Sequence, residues 1–348
     1  MKYSIIVPVY NRPDEVDELL ESLCTQTCKD FEVVIVEDGS ATPCKEVCDK
    51  YAGKLDIHYY YKENTGPGLS RNYGAERANN EFLIILDSDA VVPPQYIEEV
   101  NKELAREDAD AFGGPDAAHN SFTDVQKAIS YSMTSFFTTG GIRGKKKQLD
   151  KFYPRSFNMG VRRKAYLDLG GFSTERFSRM ALYGEDLDFS IRIYRAGLRC
   201  RLFPEAWVWH KRRTDMGKFR KQMYNSGIAR INLYKRYPEA LKLVHALPAL
   251  FTVGVFALML ISIIGLIMML CDSPQRWLWL FALPWLPVIL YSLLLFIDSW
   301  RENRSLKIAL LSVKAAFIQL IAYGCGFIEA WWIRCVKGDD GYYTRNTK

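Results

Sequence analysis

Leu247 to Leu270 contains no charged residue and is long enough to cross a bilayer as a helix. That stretch divides the chain between two solvents. Before it, residues 1–240 mix charged and apolar side chains as a water-soluble domain does. After it, residues 244–333 are dominated by Leu, Ile, Phe, Ala and Trp. A second apolar stretch, Trp277 to Ile297, has Trp at one edge as an interfacial anchor. Pro284 and Pro287 predict a kink there, which a span tolerates. A third stretch, 308–333, contains Lys314, Gln319 and Glu329. Charges within a span are costly. It is read as a third span, with a re-entrant piece and a surface helix as the alternatives. The domain reading is therefore a water-soluble domain over 1–240, a membrane domain of two or three helices over 241–335 (about 247–270, 277–297 and 308–333), and a polar tail over 336–348.

Net charge is +6. Much of the excess sits just before the first apolar stretch: Lys211, Arg212, Arg213, Lys218, Arg220, Lys221, Arg230, Lys235, Arg236 and Lys242. Basic residues beside a span favour the cytoplasmic side and attract anionic headgroups. Arg301, Arg304 and Lys307, between the second and third stretches, point the same way. No nucleic-acid-binding signature accompanies the charge, so nucleic acid is not an expected partner. The N-terminus lacks the basic and apolar regions of a signal peptide, so the first domain is expected in the cytosol. Cys24/Cys28 and Cys44/Cys48 have i,i+4 spacing, which puts each pair on one helix face. They are read as small buried residues in a reducing compartment rather than as a zinc site.

The first domain alternates strands and helices. Residues 3–9 (YSIIVPV), 31–36 (FEVVIV), 55–61 (LDIHYYY) and 82–86 (FLIIL) read as strands. Helices are expected from Pro13 through Cys24 and near 43–52, 70–80 and 94–107, then over 185–196 with Gly197 as the stop, and over 214–236. Residues 138–151 read as a loop with a basic run. This alternation implies an α/β fold with a mostly parallel sheet covered on both faces. Ligands bind such sheets outside the carboxyl ends of the strands. Asn11, Asp38, Asp87 and Asp89 fall along that rim.

Asp87-Ser88-Asp89 follows an apolar strand, and two nearby carboxylates make a hard oxygen site for Mg²⁺ or Mn²⁺. A divalent ion there stabilises departure of a nucleotide diphosphate. Asp38 ends a strand, where a carboxylate accepts a nucleobase N–H or a ribose hydroxyl. Residues 64–74 (NTGPGLSRNYG) are a glycine-rich loop opening a helix, with Arg71 placed to grip a pyrophosphate. A dehydrogenase would carry G-x-G-x-x-G after its first strand; here that position reads Pro8-Val9-Tyr10-Asn11-Arg12. Glu185-Asp186 opens a helix whose dipole favours the ionised carboxylate, as a base for an acceptor hydroxyl requires. His210, before Lys211-Arg212-Arg213, reads as a metal ligand, a phosphate contact or a structural histidine.

Taken in order, SIIVPVYNR, VEDGS, NTGPGLSRNYGA, LDSD, FNMGVRRKAYLDLGGF and YGEDLDFSIRIYRAG resemble the successive blocks of the family 2 glycosyltransferases, over roughly residues 3–213. The resemblance implies a GT-A fold, a Rossmann-like nucleotide-diphospho-sugar transferase fold, and inverting transfer. It implies that Pro8, Tyr10 and Asn11 line the nucleoside pocket and that Asp38 binds the base. Arg71 would contact the donor near the phosphates. Asp87 and Asp89 would be the metal motif, with Asp89 the principal ligand and His210 a third. Asp186 would be the catalytic base beside Glu185, and residues 158–163 would shape the sugar and acceptor side. Processive members carry Gln-x-x-Arg-Trp after the Glu-Asp block; here the nearest candidate is Gln222 without Arg-Trp.

The expected activity is transfer of one sugar from a nucleotide-diphosphate donor, with UDP favoured by Asp38, to a lipid-linked or glycan acceptor. It would serve cell-surface glycan or glycolipid synthesis. The expected place is the cytoplasmic (inner) membrane, multi-pass, with the catalytic domain facing the cytosol. A processive polysaccharide synthase and a non-catalytic membrane scaffold are the alternatives.

Overall fold

The computed structural model describes residues 2–117, 122–139, 152–173, 184–211, 213–272 and 274–338. In chain order the first elements are β1 (Tyr3–Val9), α1 (Pro13–Cys24), β2 (Phe31–Asp38), α2 (Lys45–Tyr51), β3 (Ile57–Lys62), α3 (Pro67–Arg77) and β4 (Phe82–Leu86). Next come β5 (Ala90–Val91), α4 (Tyr96–Arg106), β6 (Ala111–Gly113), β7 (Asp116–Ala117), α5 (Asp124–Thr134) and α6 (Phe136–Thr139). Then follow β8 (Asn158–Arg162), α7 (Arg163–Asp168), α8 (Glu185–Arg195), β9 (Cys200–Leu202) and β10 (Val208–His210). The chain ends in α9 (Met216–Arg236), α10 (Leu247–Cys271), α11 (Pro274–Ala282), α12 (Trp285–Asn303) and α13 (Leu306–Trp331).

Two compact units result. One holds residues 2–117, 152–173 and 184–211, and the other holds 122–139, 213–272 and 274–338. The second therefore takes in α9, which the sequence reading groups with the first domain. The basic run at 143–147 lies outside the described residues.

The first unit is built on a seven-stranded sheet in the order β3-β2-β1-β4-β8-β6-β9. β1 and β2 are buried at every residue, as apolar runs covered on both faces must be. Alternate residues feed opposite cores. Ile5, Val7, Val33, Ile35 and Ile84 pack on one face with Leu19 of α1 and Ile97 of α4. Ile6, Val34, Val36 and Ile85 pack on the other with Ala75 of α3 and Phe189 of α8. Each fully buried aliphatic side chain contributes roughly 1.5–3 kcal/mol. Gly74 lets α3 lie close to the sheet, because a Cβ there would stand 2.7 Å from Ile6 Cγ2.

The sheet is mixed rather than wholly parallel. β8 runs antiparallel to both β4 and β6. Its strand pattern is legible only as part of NMGVR, too short to carry a period. A second sheet, β5-β10-β7, forms around β10, whose residues Trp207-Val208-Trp209 read as an aromatic strand; β5 and β7 carry no such pattern. Its strands hold only two or three residues each, and its register sets His210 opposite Ala90, next to Asp89. Cys24 and Cys28 do not share a helix face, since α1 ends at Cys24; Cys44 is the residue before α2 and Cys48 lies within it.

In the second unit, α10 and the segment Leu306–Val336 are long and apolar enough to cross a membrane. The kink expected at the prolines falls at Leu283 and Pro284, where α11 and α12 meet at 41°. Pro287 sits in the first turn of α12, where its missing N–H is harmless. Counted as one span, this bent pair makes three.

Candidate active site

β4 delivers Asp87 directly beyond its last buried residue, and the turn is closed by the Ala90 N–H donating to the Asp87 carbonyl at 3.0 Å. β10 then brings His210 across from the same turn. His210 Nε2 lies 3.2 Å from Asp89 Oδ1 and 3.6 Å from Asp87 Oδ2. Phe157 stacks on the imidazole with ring centres 4.8 Å apart, which fixes its plane.

The outer oxygen of each carboxylate is held by an arginine. Arg12 Nη1 donates to Asp89 Oδ2 at 2.6 Å, and Arg71 Nη2 to Asp87 Oδ1 at 2.7 Å. Burial works against the charge on Asp89, but His210 and Arg12 outweigh it and hold the carboxyl well below the usual range. The inward atoms of Asp87, Asp89 and His210 lie within 4.8 Å of one another. Two anionic oxygens and one imidazole nitrogen, oriented from behind, fit a divalent cation of the Mg²⁺ or Mn²⁺ type.

Arg71 extends the site to α8. Its side chain is buried, stacks on Phe172 at 5.2 Å, and donates through Nη1 to Glu185 Oε1 at 2.6 Å. One guanidinium therefore ties the Asp87 carboxylate to the first residue of α8. Burial pushes the Glu185 carboxyl up, against the pull of Arg71. Asp186, next to it, behaves oppositely. Burial opposes its charge, but Arg155 at 3.2 Å and its own Leu187 N–H at 2.8 Å hold it below the usual range. It also stands in the first turn of α8, at the positive end of the helix. Each oxygen has accepted one bond and keeps a lone pair for a hydroxyl proton.

On the far side of the rim, Asp38 is almost fully committed. Oδ1 accepts from Lys62 and, at 2.9 Å, from the Thr65 N–H; Oδ2 accepts from the Gly66 N–H at 2.8 Å. Burial raises its pKa, but Lys62 and the two backbone donors prevail and lower it. Gly66 is left-handed at φ 96°, which a Cβ would resist, so the loop that opens α3 needs glycine there. Asn11, itself left-handed at φ 54°, accepts through Oδ1 from the Ala41 and Thr42 N–H groups at 2.8 and 3.1 Å. Pro8 is buried inside β1, and Tyr10 is half-exposed above it.

Residues 4–170 match the description Glycosyl transferase family 2. The chain carries a family 2 glycosyltransferase domain. Over 237 residues the chain is 28% identical to the chondroitin synthase of Escherichia coli, covering 60% of this chain and 34% of that one. Over 116 residues it is 40% identical to the poly(ribitol-phosphate) beta-N-acetylglucosaminyltransferase TarS of Staphylococcus aureus strain MW2, covering 32% and 19%. The chain thus spans about a third or less of these relatives. Among solved structures, the mannosyltransferase PcManGT from Pyrobaculum calidifontis, in complex with GDP-Man and Mn²⁺, superposes with a TM-score of 0.59 at 16% identity, over 91% of this chain and 86% of that one. At that identity the likeness shows the fold, which is GT-A.

The family 2 match ends before Glu185, Asp186 and His210, so the geometry alone joins them to Asp87 and Asp89. Arg71 faces two carboxylates inside the protein, where the sequence reading expects a donor contact. Asn158 of the NMGVRR block is buried and bonds Tyr96 and the Ala206 carbonyl. Sequence reasoning missed Arg12, Arg155 and Phe157. Arg12 stands in the first block and was open to notice; Arg155 and Phe157 carry no motif and depend on the fold to reach Asp186 and His210.

Proposed function

We propose that this chain is an inverting glycosyltransferase that moves one sugar from a nucleotide-diphosphate donor to a lipid-linked acceptor at the cytosolic face of a membrane. One observation carries the reading: Arg71 links the carboxylate–histidine cluster at Asp87, Asp89 and His210 to the Glu185-Asp186 pair. A cation-binding cluster and an ionised carboxylate are the two groups that displacement at an anomeric carbon needs.

Asp87, Asp89 and His210 would hold Mg²⁺ or Mn²⁺, which when bound neutralises the charge growing on the departing diphosphate. Asp38 Oδ2 keeps one lone pair for a nucleobase N–H, and uracil N3–H suits it. Asp186 accepts the proton of an acceptor hydroxyl as that oxygen bonds to the anomeric carbon. The bond from that carbon to the diphosphate oxygen breaks, and its electron pair leaves with the diphosphate. Attack from the opposite face inverts the configuration. Positioning of the hydroxyl against Asp186 supplies much of the acceleration. The names of the two curated relatives are those of sugar transferases, and PcManGT is seen with a nucleotide sugar and Mn²⁺. Spans in the second unit and the basic residues beside them support a membrane setting.

The test is a donor screen on detergent-purified protein, reading release of nucleotide diphosphate with Mn²⁺ or Mg²⁺, with and without membrane lipid extract. Release from one donor, dependent on both metal and lipid, is expected. Release without lipid would overturn the lipid acceptor and keep the transferase. No release from any donor would overturn the enzymatic reading.

A further inference from the structure

α13 is apolar enough to cross a bilayer, yet α9 and α5, two of the helices packed on it, are not among the candidate spans. α9 runs beside it and parallel to it. Phe219 and Met223, early in α9, pack with Ala315 and Ala322. One turn further the backbones touch: a Cβ on Gly227 would collide with the Tyr323 carbonyl, and one on Gly326 with the Tyr224 carbonyl. The Tyr224 hydroxyl donates to Glu329, and near the end of α9 Arg334 donates to Asn232. α5 packs on α13 as well. Asp124 pairs with Lys307 at 2.8 Å, and Ile129 and Tyr131 pack against Ala315 and Ala316.

This pairing decides where α13 can lie. α9 is 21 residues long, or roughly 30 Å, close to the thickness of the hydrocarbon layer. If α13 crossed the bilayer, α9 would cross with it. α9 carries Lys218, Arg220, Lys221, Arg230, Lys235 and Arg236, of which Lys218, Arg220, Lys221 and Lys235 are exposed. Such a helix cannot stand in hydrocarbon.

α10 meets α13 near its own start, and α12 meets it from Tyr291 through Leu295 to its last turns. Thr252, in the second turn of α10, donates to the Leu320 carbonyl at 3.3 Å. Ser299, near the end of α12, donates to Ser312 at 2.8 Å. Further along, α10 turns to α11 instead, where Ser262 donates to the Phe281 carbonyl at 2.9 Å. Between α10 and α13 a groove of about 670 Å³ opens toward Leu260 on one wall and Trp332 on the other, so the two helices diverge.

We propose that α13 lies in the plane of the membrane surface, with its outer face in the headgroup layer, and that the chain crosses the bilayer twice, through α10 and through α11–α12. Trp331, the last residue of α13, and Trp332, which follows it, are both half-exposed and are the side chains that an interface holds best. Leu306 and Leu310 are exposed on the same helix and enter the acyl boundary. The N-terminus and the C-terminus then share one side, and Cys271, exposed at the α10–α11 turn, stands on the other.

The experiment uses the full chain in a bacterial host. Paired green-fluorescent-protein and alkaline-phosphatase fusions are made at each terminus. Intact cells are labelled with a membrane-impermeant maleimide, for the native chain and for Cys271→Ser. The proposal expects both termini to report the same compartment, and external labelling that Cys271→Ser removes. Termini reporting opposite compartments would overturn it, because α13 would then cross. Both termini inside with Cys271 unlabelled would overturn it too, because the α10–α12 hairpin would not cross. None of these readouts requires the protein to be a transferase.

Discussion

Arg71 illustrates how one side chain can hold two acidic groups of a site at once. Its guanidinium is buried and meets Asp87 and Glu185 with separate nitrogens, a fork that a lysine ammonium cannot reproduce. Arg71→Lys should therefore lower activity about 10- to 100-fold and raise the Mn²⁺ concentration needed for half-maximal rate; a metal titration of turnover reads both, and an unchanged midpoint would remove Arg71 from the support of the cluster. Asp186→Asn keeps the shape and removes the base. Turnover should fall by about 10²–10⁴ while calorimetry shows donor affinity unchanged; normal turnover would sink the assignment. Glu32, at the opposite end of the sheet, tests the fold rather than the chemistry. Burial raises its pKa, but Ser4, the two Asn79 donors and His58 bring it below the ordinary 4.5. A native value below the unfolded one stabilises the fold above pH 4.5, and that gain is lost as pH falls through the native value. Glu32→Gln should cost about 1–2 kcal/mol at pH 7 and progressively less in acid, as thermal melts across pH would show. At this scale the sequence shows the acids and hides their partners. Asp38, Asp87, Asp89 and Asp186 stand beside turns or helix starts and are legible; Arg155 and Phe157 reach their partners only through tertiary packing.

Long apolar elements were legible because burial on both faces writes an unbroken run. β1, α1 and β4 begin and end where the residues predict, and α10 differs by one residue. The short strands β5, β7 and β9 were not, since two or three residues cannot show a period of two, and they form through pairing with partners distant in sequence. β10 is the exception: the aromatic residues Trp207-Val208-Trp209 before His210 read as a strand, and β10 covers Val208–His210. The contact between α9 and α13 is a second feature that no periodicity reveals. It rests on Gly227 and Gly326, whose missing side chains let two backbones meet. Gly227→Leu should force the helices apart and cost about 1–3 kcal/mol, lowering the melting temperature in detergent. The exposed Gly254 of α10, with nothing near a Cβ, is the control: Gly254→Leu should leave it unmoved. Equal losses at both positions would mean that helix propensity or insertion, not packing, sets the effect.

At the scale of the molecule the two units are interleaved along the chain. The segment 122–139 leaves the first unit, packs in the second, and the chain then returns to the first at 152. A boundary at 240, natural to a reading of composition, would cut α9 away from α13 while leaving α5 and α9 attached to the catalytic domain. Composition misleads here because α5 and α9 are polar on average; their apolar side chains point to a helix that lies far downstream. Ile129, Met133, Phe219 and Met223 would all lose their cover. A chain ending at 240 should therefore aggregate or require detergent, despite containing every residue of the proposed site, because an apolar patch of that kind seeks another surface. Size-exclusion chromatography of the truncated chain without detergent reads the outcome directly. A monodisperse monomer that still binds nucleotide would show that α5 and α9 have no need of α13, and would restore the boundary at 240.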